Sequence, residues 1–190
     1  MQADWAVELG VDDETLEMPW AAEDGSPCYY DLKHRPELVN SLEEVRRVPE
    51  LGEFLSRVNS PKSRLETAKC DAWASTEMNP EEDIFGATAK FCSYIDLLFS
   101  DEPKRFSFSE HEALAKQLAQ LLKPAPEALS AAEFLVRRCY CHIEKEIRDG
   151  FYITFYLFGY GDDEVQSRQH WAVALKLVED AIRQWSASCD

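Results

Sequence analysis

The chain has 190 residues, 45% hydrophobic and 29% charged, a composition that excludes wholesale disorder. Its net charge of −16 is uneven: residues 1–50 carry 13 acids and 4 bases, whereas residues 101–150 carry 9 acids and 8 bases. So acidic a chain repels a phosphate backbone, which argues against nucleic acid as a partner, and no run of about eighteen apolar residues is present to span a membrane.

Trp5, Val7 and Leu9 alternate with Ala6 and Glu8, which predicts a short strand. The acidic stretch VDDETLEMPWAAEDGSP follows, and CYYDL (28–32) reads as a second short strand after the Asp24-Gly25 turn. Pro36 suits the first turn of a helix with Leu38, Leu42 and Val45 on one stripe, until Pro49 breaks it. A second helix runs through Leu51, Phe54, Leu55 and Val58 and ends near Asn59. KCDAWAS (69–75) alternates weakly as a strand. KFCSYIDLLF (90–99) alternates better, with Phe91, Ile95, Leu97 and Phe99 on one face and Cys92, Tyr94, Asp96 and Leu98 on the other.

Ser109-x-x-Glu112 predicts a helix start, with Leu114, Leu118, Leu121 and Leu122 as the buried stripe and His111 exposed in the first turn. Ser130-x-x-Glu133 predicts another helix, with Leu129 and Phe134 as a staple, Val136, Tyr140, Ile143 and Ile147 as its stripe, and Gly150 as its C-cap. FYITFYLFGYG (151–161) then reads as a strand. Phe151, Ile153, Phe155 and Leu157 form an apolar core face, and Tyr152, Thr154, Tyr156, Phe158 and Tyr160 form a hydroxyl-bearing one. A helix over 163–186 closes the chain, with Trp171, Leu175, Val178, Ile182 and Trp185 on one side. Mixed elements without regular alternation favour an α+β fold: an antiparallel or mixed sheet of about three to five strands covered by helices, a two-layer sandwich in a single domain over residues 1–190.

Six cysteines, at 28, 70, 92, 139, 141 and 189, form no CxxC pair and no dense framework, and residues 1–20 lack the pattern of a secretory signal. Reduced thiols and a cytoplasmic location are expected. On the predicted 130–147 helix, Cys139, His142 and Glu146 share a sector and are candidate ligands for a transition metal, while Cys139 and Cys141 point apart. Asp71 and Asp96, on two predicted strands, are candidates for a carboxylate pair. No phosphate-binding loop, nucleophile elbow or EF-hand loop occurs, so no cofactor is called for.

Two classes of function remain. The first is a non-enzymatic acidic binding module that engages a basic protein through Trp20, Phe85, Tyr152, Tyr156 and Tyr160, because tyrosine offers large contact area at low entropic cost. The alternative is a small-molecule-binding protein or an enzyme with its pocket on the Tyr-rich strand face. A homo-oligomer joined through the long final helix is a third expectation.

Overall fold

The structure, a computed structural model, describes residues 1–21, 28–79, 82, 86–125, 128–143 and 146–188. Its strands are β1 (Gln2–Val7), β2 (Thr15–Met18), β3 (Leu65–Ser75), β4 (Ala89–Phe99), β5 (Ser130–Ile143) and β6 (Glu146–Gly161). Its helices are α1 (Glu43–Arg47), α2 (Pro49–Val58), α3 (Glu102–Arg105), α4 (Phe108–Leu122) and α5 (Glu164–Ser188), with a short 3-10 turn over Pro36–Ser41. Together they make an α+β fold around one mixed sheet.

The sheet order is β1-β5-β6-β4-β3, antiparallel from β5 to β3. β1 and β2 lie end to end along β5 and pair with it in parallel, β1 against Ala131–Val136 and β2 against Arg138–Cys141. The second strand therefore lies inside the acidic stretch, at Thr15–Met18, and not at residues 28–32. Those residues instead follow a turn in which Cys28 and Tyr29 N–H groups donate to the Trp20 carbonyl.

Helices α2, α4 and α5 cover one face of the sheet. Phe91, Ile95, Leu97 and Phe99 of β4, Phe134 and Val136 of β5, and Ile153, Phe155 and Leu157 of β6 point into that layer, where the period of two places them. They meet Leu114 and Leu118 of α4 and Trp171, Leu175, Val178 and Trp185 of α5. The Trp171 indole donates to Ser93 Oγ at 2.9 Å, which satisfies both polar groups inside the core. Gly159 lets α5 approach: a Cβ there would lie 2.3 Å from Ser167 O and Trp171 N.

Three expectations change. Residues 130–143 form a strand and not a helix, because Ala132, Phe134 and Val136 face the helices while Leu135, Arg137, Cys139 and Cys141 face the other way. Both faces of this inner strand are buried over residues 134–137, so its hydrophobic residues run almost continuously there and fit a helical stripe by accident. Helix α4 is capped by Ser107, whose Oγ accepts from Glu110 N–H, two residues before the expected box. His111, expected at the surface, is 1% exposed; its Nδ1–H donates to the Ser107 carbonyl and its ring packs edge-on against Phe99.

Candidate functional site

The sheet face opposite the helices carries alternate residues of every strand. One end is closed by a small apolar cluster of Leu16, Met18, Leu98, Cys139, Cys141 and Tyr152, against which Trp20 and Tyr29 pack. Near the other end, Tyr160 OH donates to Glu82 Oε1 at 2.9 Å, and Lys90 Nζ donates to both Glu82 oxygens at 2.8 and 3.1 Å. Burial works to raise the pKa of Glu82, but hydrogen bonds from Asn79 N–H, Lys90 and Tyr160 outweigh it and hold the carboxyl below its ordinary range.

Between these ends lies an aromatic band. Trp73 of β3 is 39% exposed and meets Tyr94 of β4 edge-on, with centroids 6.4 Å apart. Tyr94 lies 6.2 Å from Tyr156 of β6, which stacks with Phe158 at 6.4 Å. The band follows from register: Trp73 stands opposite Cys92 and Tyr94 opposite Tyr156, so the rings fall on one face in a diagonal row.

A polar line crosses the same face. Arg137 of β5 donates to Glu8 Oε2 at 2.8 Å, to Glu14 Oε2 at 2.9 Å and to Thr154 Oγ1 at 3.2 Å. Thr154 in turn donates its hydroxyl to Asp96 Oδ1 at 2.9 Å. Asp96 is 3% exposed, and burial pushes its pKa up to about 7, further than the Thr154 hydrogen bond and the cations of Lys69 and Arg137 draw it down. Glu133, beside Tyr156 in register, is also raised, first by burial and then by the carboxylates of Glu8 and Asp4. The border of the band on the β1–β5 side thus carries several acids, of which Glu8 and Glu14 are paired with Arg137, whose cation also draws the Glu133 pKa down against burial and its acidic neighbours.

The expected site residues separate. Tyr152 is fully buried, and its hydroxyl has no hydrogen-bond partner among the described residues. Tyr160 is buried and held by Glu82, so only Tyr156 of the three tyrosines stays half-buried on the open face. Trp20 packs on the closed end with Lys69 Nζ 5.1 Å from its ring centroid, and it lines one cavity together with Tyr94. Phe85 lies outside the described residues.

The Cys139–His142–Glu146 trio does not assemble, because strand geometry turns His142 to the face opposite Cys139, where its Nε2 lies 3.3 Å from Glu17, and Glu146 opens the next strand. No cluster of three or more His, Cys, Asp or Glu suited to a metal ion occurs among the described residues. Asp71 and Asp96 share a face but not a hydrogen bond: Asp71 pairs with Arg47 at 2.9 Å and Asp96 with Thr154. Trp73, Tyr94 and Arg137 are the members of the site that sequence reasoning did not single out, whereas Thr154 and Phe158 were placed on this face but given no role of their own. Their signal was cross-strand register, which a single sequence does not display.

Fold and site define an α+β protein with one helix-covered sheet face and one aromatic, acid-bordered open face. No protein-family model, curated protein or solved structure matches the chain. Among the described residues no helix is long and apolar enough to cross a membrane.

Proposed function

We propose that the protein is a non-enzymatic binding module that takes a basic segment of another protein onto the open sheet face. One observation carries this reading: the band of exposed Trp73 and half-buried Tyr94, Tyr156 and Phe158 runs beside the carboxylates of Asp4, Glu8 and Glu133. A lysine or arginine laid across the band is attracted by the ring faces and by the acids. The aromatic rings add contact area with little rotamer entropy to lose.

Selection of an unbiased displayed peptide library on the immobilised protein tests the reading. It predicts enrichment of Lys- and Arg-containing peptides, binding that weakens with salt, and loss of binding in the W73A/Y156A variant. Enrichment of acidic or uncharged sequences, or equal capture by that variant, contradicts it.

A second reading, a small-ligand site or an enzyme on the same face, is favoured by a pocket of about 660 Å³ lined by Asp4, Asn79, Glu82, Glu133, Phe158 and Tyr160. A small molecule that protects the protein from heat and loses that effect in Y160F supports this second reading over the first.

A further inference from the structure

We propose that Cys139, Cys141 and Met18 form a three-sulfur site for a soft monovalent cation, Cu(I). This lies at the closed end of the sheet and goes beyond the binding-module reading. Because residues 130–143 are a strand, positions 139 and 141 project to the same side, and their Sγ atoms stand 3.6 Å apart. Both residues are buried, at 0% and 2% exposure, and both thiols are free.

The spacing suits chelation. With a metal–sulfur distance of about 2.3 Å, a separation of 3.6 Å subtends an angle of about 103° at the ion, so the two sulfurs need part by only about 0.4 Å to reach the roughly 120° of a trigonal three-sulfur site. The third sulfur comes from the neighbouring strand: Met18 of β2 stands opposite Cys141 in the β2–β5 register and belongs to the same buried cluster. Leu16, Leu98 and Tyr152 fill the remaining surroundings with mostly apolar atoms.

Donor chemistry selects the ion. Two thiolates and a thioether, without an imidazole or a carboxylate to complete a harder set, favour Cu(I) over Zn(II), Mg(II) or Ca(II). The two thiols are in hydrogen-bond contact with each other, so both sulfurs already converge on one point. Binding replaces two S–H protons with one Cu(I) and releases both protons to solvent. No electron is transferred, and the complex carries one net negative charge near the Arg105–Glu66 ion pair, whose guanidinium and carboxylate are 2.7 Å apart.

The reduced full-length protein is titrated anaerobically with Cu(I) against a coloured Cu(I) chelator. The wild type is expected to retain one ion per chain, and M18L, a substitution of similar volume, to bind at least about tenfold more weakly. C139S and C141S are each expected to lose the ion, and C70S, altered outside the site, to bind as the wild type does. Because Cys139 is fully buried and its variants risk unfolding, X-ray absorption of the loaded wild type supplies a readout free of substitutions. Three sulfur neighbours at about 2.3 Å are expected there. A chelator that strips the wild type completely, unchanged binding by M18L, or nitrogen and oxygen neighbours in the absorption spectrum would each overturn the proposal.

Discussion

Replacing Asp96 by Asn tests the electrostatics of the open face at a single atom. In the folded protein the carboxyl is 3% exposed and its pKa rises to about 7, whereas an unfolded aspartate titrates near about 4. Between those values the folded state holds a proton that the unfolded state has released, so protons favour folding. This contribution is complete below about pH 4 and is lost as pH rises through about 7. A shift of about three units corresponds to about 4 kcal/mol, the cost of holding the charged carboxylate in its buried place at alkaline pH. Asparagine has the same shape and accepts from Thr154 through the same oxygen, but it carries no charge. D96N should therefore gain stability relative to the wild type by about 1.4 kcal/mol per pH unit over much of that window, and the gain should level off above about pH 7. Urea denaturation of both proteins at several pH values measures the difference. A difference that stays constant with pH would refute the reasoning.

Three other substitutions probe how the fold carries the face. His111 is buried neutral with its pKa pushed down to about 4, so its contribution is whole above about pH 6.5 and is lost as pH falls toward 4; H111Q should remove about 3 kcal/mol of that pH dependence in urea titrations. G159A forces a Cβ into the backbone of α5 and should cost about 3 kcal/mol, seen as a lower urea midpoint with an unchanged slope. Lys33 Nζ donates to the carbonyls of Ser60, Ser63 and Leu65 at 2.9, 2.5 and 3.1 Å, so K33M should cost about 2 kcal/mol by the same assay.

The sequence displayed those parts of the fold whose signal is local. Strands β4 and β6 alternate cleanly, and the stripe of α5 from Trp171 to Trp185 repeats at helical spacing, so these elements and their inward faces were legible. Strand β5 was not, since residues 130–147 satisfy a capping box and a helical stripe while tertiary packing buries both faces over residues 134–137. β2 was hidden for another reason: four residues of an acidic stretch become a strand only because β5 offers them an edge. The site divides in the same way. Tyr156 was visible as one member of an alternating face, but its separation from Tyr152 and Tyr160 depends on what covers each end of the sheet. The Cys139–Cys141 contact was hidden by the helical reading, which turned the two side chains apart, and the strand reverses that geometry.

The central claim is that the uncovered aromatic face binds a basic segment, and mapping one titration by NMR tests it most directly. A Lys- and Arg-rich peptide from the library selection is added to the isotopically labelled protein at low salt. Shifts concentrated at Trp73, Tyr94, Tyr156 and Phe158, and reversed by salt, are the predicted result. Shifts confined to α2, α4 and α5, or no saturable shift on the open face, would contradict the account.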